Sequence, residues 1–576
     1  MKTRPGQFKL YFGNPQVYSY FFDSVSMLRK KKLHGKIAQA MLSLYGDDDR
    51  DALQELAYHF LEAGDYENAL KFGKRLAELW ASSFQFERAA KQYRSALEIM
   101  DMLPGYTKSE EGREQKAILL YNAAFNSFYA GENDYESIEQ AIRIFEGIKD
   151  TEMIARCLIL IGSRKDEKQK YWLDYAVNFL RKNKEAPELN NILTSLGWRI
   201  ANAFWYRAEF KEAREIVDET LNYAAKSGTE DLFSEALRLM SSVLLEITSN
   251  EDIDKIFAAY REAEDYIVRI TSENPEDAFL TGAAVSFYDS DANRCFFLKH
   301  DLRLVEESFN KGLKFNLDLC SRGNKQVITA ERALLVLLPE GKWDELRAAL
   351  GEEQFKGYIQ THVSLVLLLI NSIIDSYRGK WDSAMRGFDK IDEASSTQFI
   401  TFSSPYKAMT LIEMNRLEEA LHYVAGTLNK IKAKILNSEV FKGYVEMSYY
   451  GSVAGSLSGD KEKSERYLDT LHDFSKRFDK EWISAYMKAA ESFHEETFGE
   501  VKSAIELMKD ARDYFISAGY ELFGAQLSYE LARFYHENDD WERSNEALTS
   551  AYETFDRLNC SPYVEKCLRL KSLLKA

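Results

Sequence analysis

One fourteen-residue pattern recurs in this chain and limits its fold more than any other feature of the sequence. It reads LAYHFLEAGDYENA at 56–69, IANAFWYRAEFKEA at 200–213 and LARFYHENDDWERS at 531–544. Each copy opens with an aliphatic residue and Ala, places aromatic residues three and nine positions after that Ala, and closes with a small residue. What repeats is the kind of side chain at each position, so one structural unit recurs along the chain.

The second half of this pattern gives the period. Clear copies begin at Gly64, Ala208, Gly341, Gly379, Asn415 and Asp539, and weaker copies begin at His300, Gly459 and Gly499. From Trp343 onward the equivalent positions are 36 to 44 residues apart. A repeat of this length is typical of a solenoid built from helical hairpins.

Each position of the pattern has a physical role in such a hairpin. Ala and the small residue let two helices approach closely, and the aromatic residues fill the space between neighbouring hairpins. Gly at the turn is free to take a positive φ, and Asp after it is a good helix N-cap. The helix that follows, FERAAKQYRSALEIM at 86–100, has its apolar residues at helical spacing. One hairpin cannot bury such a face alone, so the sequence predicts a stack of hairpins.

Proline usage supports an all-helical chain. The sequence has 8 prolines in 576 residues, and 45% of its residues are apolar. Several prolines fall where the pattern predicts gaps between helices, at Pro104, Pro187, Pro275, Pro405 and Pro562. No sustained alternation of apolar and polar residues indicates a sheet.

These positions resemble the tetratricopeptide repeat, most strongly at 56–100, 200–225, 379–430 and 531–556. The resemblance implies an all-α fold, a right-handed superhelical solenoid of about 11–12 hairpins over 51–576. It also implies that the chain binds a protein or peptide partner in its groove. The repeat period is longer than the family's usual one, so we expect longer helices or loops.

The N-terminal segment carries a second resemblance. A junction in STAND-class signalling NTPases is similar to this segment at Phe12, Asn14-Pro15, the basic run 29–32, Leu33-His34, Tyr58-His59 and Ala63 to Tyr66. There a winged-helix element ends and a repeat arm begins, so residues 1–50 are expected to resemble the end of that linker. The class includes large LuxR-type transcription activators, whose repeat arms sense signals or bind partners.

The motifs that would complete such a regulator do not occur in this sequence. No GxxxxGK[ST] phosphate loop is present, since HGK at 34–36 and the two GK pairs lack the upstream Gly. No helix-turn-helix is evident after residue 540. The chain is therefore either the sensor arm of a larger protein or a stand-alone arm.

Charge and hydropathy exclude several function classes. The net charge of −17 argues against nucleic-acid binding, and the one dense basic run, RKKK at 29–32, is interpreted as a solvated helix face. The longest apolar stretch, 362–374, is too short to span a membrane and predicts a buried helix. The five scattered cysteines are expected to be reduced, buried thiols in a cytoplasmic protein.

No catalytic or metal-binding motif appears. The eight histidines are dispersed, HEETF at 494–498 fails the HExxH pattern, and no His or Cys spacing suits zinc. GxSxG and GxGxxG are also absent from the sequence. We therefore expect a non-enzyme with no catalytic residues, no cofactor and no metal.

The candidate partner-binding residues lie on the predicted helix at 191–207. If its packing face holds Gly197, Ile200, Ala201 and Phe204, the opposite face holds Trp198, Arg199, Asn202, Trp205 and Tyr206. Tetratricopeptide proteins hold peptide backbones with Asn and Arg side chains, and Arg199 and Asn202 resemble that usage. With the aromatic residues as walls for peptide side chains, these five are the predicted partner-binding residues. The alternative is that Trp198 and Trp205 only pack against neighbouring helices.

Two functions remain open from the sequence. The first is a non-catalytic interaction scaffold or regulatory arm that binds a protein or peptide, such as a signalling NTPase or a transcription factor. The second is a small-molecule-sensing arm of an ATP-dependent transcription regulator. Neither requires direct contact with nucleic acid or with a membrane.

Overall fold

The computed structural model describes residues 24–573, apart from 48, 84, 104, 163–165, 208, 228–231, 352–354, 356–360, 395–396 and 432–437. The chain divides into two compact units, Met1–Ile161 and Gly162–Ala576. In the first unit the helices are α1 (Met27–Tyr45), α2 (Leu53–Ala63), α3 (Tyr66–Ser82), α4 (Phe86–Asp101), α5 (Glu110–Tyr129), α6 (Tyr135–Ile148) and α7 (Thr151–Ile161).

The second unit contains twenty α-helices within the described residues. They are α8 (Gln169–Lys182), α9 (Asn190–Tyr206), α10 (Phe210–Ser227), α11 (Leu232–Val243), α12 (Asn250–Glu273), α13 (Ala278–Arg294), α14 (Leu302–Leu313), α15 (Arg322–Arg332), α16 (Trp343–Leu350), α17 (Thr361–Tyr377), α18 (Trp381–Ala394), α19 (Thr397–Glu413), α20 (Leu417–Ile431), α21 (Ser438–Leu457), α22 (Lys461–Phe478), α23 (Glu481–Phe498), α24 (Val501–Ser517), α25 (Glu521–Glu537), α26 (Trp541–Arg557) and α27 (Ser561–Leu573). Short π-helical segments, Cys295–Lys299 and Ala333–Leu337, extend α13 and α15.

The described residues contain helices and no strand, and consecutive helices pack as hairpins. The predicted fold class, an all-α solenoid of tetratricopeptide-like hairpins, is confirmed. The apolar stretch at 362–374 lies in α17, where Val363, Leu369, Ile370 and Ile373 are fully buried. Residues 1–23 of the predicted N-terminal segment 1–50 lie outside the described residues, and α1 packs against α2.

The turn position of the repeat behaves as its residue types predict. Gly64, Gly341, Gly379 and Gly459 all take φ between +66° and +79°. Asn415, Asp539 and His300 occupy the same position in other copies and take φ of +57°, +58° and +53°. Ala208, the turn residue of one further copy, lies outside the described residues. A left-handed residue between the two helices therefore marks most copies, including the weak one at His300. Gly499, with φ of −128°, is an exception.

The positions predicted for close helix approach are also buried. Ala69, Ala213 and Ala384 have no exposed surface. In the α9–α10 hairpin the two helices approach closely at Gly197, because a Cβ there would lie 2.2 Å from the Thr220 hydroxyl oxygen. The small residues thus fix how closely paired helices pack.

The odd-numbered helices of the second unit form one layer. Helix α9 contacts α11, and from α13 to α23 each odd-numbered helix contacts the next one in that series. We call this layer the inner helices. The even-numbered helices of the second unit pack against them as the second helices of the hairpins, and we call these the outer helices.

Within the second unit, successive turns of the array pack directly on each other. The indole Nε1 of Trp482 donates to the Leu298 carbonyl at 3.3 Å, and the Leu522 amide donates to the Pro339 carbonyl at 3.3 Å. The Tyr377 hydroxyl donates to Gln526 Oε1 at 3.3 Å. Helix α27 also contacts α17, so about five hairpins complete one turn. One hydrophobic core accordingly extends from Val243 to Leu570.

One sequence prediction about proline is wrong. Pro405 lies inside α19 and not in a gap between helices, whereas Pro187 starts a short 3₁₀ turn, and Pro562 is the second residue of α27. Pro405 has no N–H to donate to the carbonyl of Thr401, one turn earlier. Gly443 of α21 approaches that carbonyl closely, since a Cβ there would lie 2.9 Å from it. Packing between the two inner helices thus keeps the chain helical past the proline. Pro104 lies outside the described residues.

Candidate partner-binding site

The five residues singled out in the sequence lie on α9, one of the inner helices. Trp198, Arg199, Asn202 and Trp205 are half-buried, and Tyr206 is 38% exposed. The guanidinium carbon of Arg199 lies 5.0 Å from the ring centre of Trp198, and the rings of Trp205 and Tyr206 are 5.1 Å apart. None of the five is fully enclosed between helices, so each retains some surface for contact with another molecule.

Aromatic side chains from three inner helices form a continuous row that begins at Trp198. Its ring centre lies 5.5 Å from that of Phe233 on α11, and the Phe233 ring lies 5.6 Å from that of Phe279 on α13. Phe279 is 43% exposed although it is a large apolar residue. We call Trp198, Phe233 and Phe279 the aromatic row. Rings at this spacing present apolar faces and edges side by side to any chain that lies across the three helices.

A group of polar side chains lies between α13, α15 and α17, in the same unit. Glu331 is 9% exposed, and its two oxygens are 2.6 Å from His362 Nε2 and 2.5 Å from the Asn293 amide nitrogen. Asp289 lies beside Glu331. Burial and the nearby Glu331 charge raise the pKa of Asp289 well above its usual range. This environment therefore favours a proton on Asp289.

A buried positive charge, on Arg294, lies near Glu331. Arg294 is 2% exposed, and its guanidinium carbon lies 5.7 Å from the Trp205 ring. Burial lowers the pKa of Arg294, while Tyr260 and Glu331 oppose that effect.

Loss of solvent and the charges of Glu331 and Asp289 raise the pKa of Tyr206 to about 12, and Arg199 and Arg294 oppose the shift. The charged side chains around Glu331 therefore also act on Tyr206 of α9.

Sequence reasoning missed several members of this surface. Phe233 and Phe279 fall where the repeat pattern is weak, and Glu331 and His362 come from two later repeats. The stretch VSFYDSDANRCFFLKH at 285–300 is rich in aromatic residues. Within it, Asp289, Asn293 and Arg294 follow helical spacing, and charged residues on a buried helix face are a signal of a special environment.

The described residues show no arrangement of three His, Cys, Asp or Glu side chains able to hold a metal ion. In the same residues, every helix is too short or too polar to cross a membrane. The five cysteines are buried thiols, and burial raises their pKa. A cytoplasmic location stays a prediction.

Comparison with known proteins gives similarity to helical-repeat structures. No known protein family matches the sequence, and no curated protein matches it. The Cut9–Hcn1 hetero-tetramer of the APC/C has a chain 14% identical to this one, with 85% of this chain and 87% of that chain covered and a TM-score of 0.43. Yeast Tom70 is 13% identical, with 91% and 96% covered and a TM-score of 0.32. The role of this chain has to be inferred from its own residues.

Proposed function

We propose that this chain is a non-catalytic scaffold that binds an extended segment of a partner protein across the inner helices α9, α11 and α13. The observation that supports it is the aromatic row, which runs over three successive inner helices and leaves Phe279 43% exposed. A peptide laid across the row would place successive apolar side chains against successive rings. Arg199, Asn202 and Tyr206, from the same helix as Trp198, supply polar groups for its backbone, and Trp205 supplies apolar surface.

The packing of the array restricts where a partner can bind. Around α17, α25 and α27 the inner surface is closed by the chain's own side chains, with Tyr377 in contact with both Gln526 and Tyr563. The aromatic row lies on earlier helices, where large side chains stay partly exposed. The net charge of −17 favours a neutral or basic segment. A regulatory role toward a signalling NTPase or transcription factor is part of the proposal.

Peptide display tests the proposal. The full chain is immobilised and exposed to a library of random linear peptides, and the enriched sequences are measured for affinity by fluorescence anisotropy. We expect enriched peptides to carry two or more apolar or aromatic residues. Phe279→Ala is expected to weaken their binding about tenfold, because burying an aromatic side chain at an interface contributes on the order of 1–3 kcal/mol.

Trp541→Ala is the matched control. Trp541 is 47% exposed on the outer helix α26, so the change removes a similar aromatic surface away from the inner helices. If the two variants weaken binding equally, or if no peptide is enriched, the proposal is wrong. Circular dichroism of both variants shows whether the fold is retained.

A small-molecule-sensing function is the second candidate. It is supported by the cluster of polar side chains between α13, α15 and α17. The charges of Glu331, Asp289, Arg199 and Arg294 all act on the Tyr206 hydroxyl, so carboxyl and guanidinium groups surround one region. This combination suits a ligand that carries both an ammonium and a carboxylate. A thermal-shift screen with free amino acids tests it: stabilisation that is lost in Glu331→Gln supports sensing, and no stabilisation by any amino acid contradicts it.

A further inference from the structure

The outer face of α1 carries a stripe of exposed apolar side chains. Leu33, Ile37 and Leu44 are 50%, 41% and 76% exposed, and Ala40 between them is also exposed. Their spacing of four, three and four residues places all four on one face of the helix. The opposite face, which includes the buried Ala38, packs on the rest of the first unit. The stripe is therefore a second apolar surface of the same helix, separate from its packing face.

A row of cations lies along one side of this stripe. Arg29, Lys32 and Lys36 are exposed and follow the same helical spacing. Within the described residues, none of the three is paired with a carboxylate. Three uncompensated cations in a row are unusual on a chain whose net charge is −17. The first helix thus presents an apolar stripe with a basic edge.

The composition of this face indicates what it suits. A helix face of a repeat array that is exposed to water is expected to carry polar residues. On α1 the exposed face carries apolar residues instead. Apolar residues at i, i+4, i+7 and i+11 form the ridges against which another helix packs.

We propose that this face of α1 binds an amphipathic helix of a partner protein, and that this helix is acidic beside its apolar stripe. The apolar residues of the partner would pack on Leu33, Ile37 and Leu44, as a further helix of the array would. Its carboxylates would lie against Arg29, Lys32 and Lys36. Charge complementarity selects an acidic helix over a basic one. This surface belongs to the first unit and does not depend on the proposed function of α9, α11 and α13.

Two synthetic peptides of about 18 residues test the proposal. Both carry Leu at the spacing of the stripe, and one has Glu and the other Lys beside the Leu residues. Binding to the full chain is measured by fluorescence anisotropy at low and at physiological salt. We expect the Glu peptide to bind at least about tenfold more tightly than the Lys peptide, with a preference that shrinks as salt rises. The double variant K32E/K36E is expected to abolish or reverse the preference, and L33S/I37S to weaken both peptides.

The double variant K502E/K509E makes the same charge change on α24 and is the matched control. It should leave the preference unchanged. Equal binding of the two peptides, no binding of either, or equal effects of the two charge-reversal variants would overturn the proposal. Two further results would also contradict the proposal. Binding to phosphatidylserine vesicles without peptide binding would assign the face to a lipid surface. Self-association in sedimentation that is lost in L33S/I37S would assign it to a second copy.

Discussion

At the scale of single residues, one turn position controls the path of the chain between paired helices. Gly379 and Gly459 both occupy it, with φ of +76° and +74°. A Cβ at Gly459 would meet no atom within 4 Å, whereas one at Gly379 would lie 2.7 Å from Pro562 Cγ. Gly459→Ala should thus lower the free energy of unfolding by about 1–2 kcal/mol, the usual cost of a left-handed non-glycine residue. Gly379→Ala should lower the free energy of unfolding by more than Gly459→Ala does, because it also disrupts contact with the next turn of the array. Urea denaturation of both variants measures the difference, and equal losses would contradict the contact at Pro562.

His300 is a second residue whose surroundings matter. It is fully buried, and its ring stacks on Tyr520 at 4.1 Å and on Trp482 at 5.4 Å. Within the described part of the chain neither ring nitrogen has a hydrogen-bond partner. Burial, with a smaller contribution from the Lys442 charge, holds the pKa of His300 well below its usual range.

The pH dependence of stability follows from that shift. In the unfolded chain His300 takes up a proton near the usual histidine pKa of about 6.5, while in the folded chain it does so only at lower pH. The His300 contribution is therefore fully present above that value and is lost as pH falls below it. We expect Tm to drop between about pH 7.5 and pH 5.5, and to drop less in His300→Phe. An equal drop in both proteins would show that other groups account for it.

At the scale of elements, the α9–α10 hairpin depends on the contact between Gly197 and Thr220. Thr220 is fully buried, and its hydroxyl donates to the Ile216 carbonyl at 2.6 Å. Gly197→Ala should destabilise the second unit by roughly 1–3 kcal/mol, as overpacking of a filled core does. Thr220→Ala removes two of the three atoms that lie nearest to a Cβ added at position 197. The double variant should therefore recover part of the stability that Gly197→Ala loses. Thermal melting of the two single variants and the double variant measures the coupling, and strictly additive losses would contradict direct contact.

The helical hairpins could be predicted from sequence because their determinants are local. Turn residues such as Gly64 and Asn415, and small residues such as Ala213, act within one repeat. The contacts between Leu298 and Trp482 and between Pro339 and Leu522 could not be predicted, because they depend on geometry accumulated over several repeats. The helical placement of Pro405 was missed for a similar reason, since Gly443 on another helix accommodates it. The α9–α10 hairpin followed from its pattern, but Phe233, Phe279 and Glu331 come from repeats where the pattern is weak.

At the scale of the whole molecule, the division after Ile161 predicts two separable folding units. The fragment 162–576 is expected to fold alone and to unfold in a single cooperative transition, because its core runs from Val243 to Leu570. A shorter fragment, 162–479, lacks α23–α27 and exposes the surface that they cover. It is expected to be molten or aggregated. Near-ultraviolet circular dichroism and calorimetry test both fragments, and a well-folded 162–479 would contradict a shared core.

The direct packing of one turn of the array on the next also changes how the molecule should respond to tension. An open repeat array stretches as a soft spring, because each repeat touches only its neighbours. In the second unit, hydrogen bonds join residues 149 to 229 positions apart, as between Tyr377 and Gln526 or Thr248 and Arg477. These bonds must break before the helices can separate. Pulling on the ends of this unit should give an initial force peak, and the contour length should then increase by about 3.3–3.6 Å for each residue released.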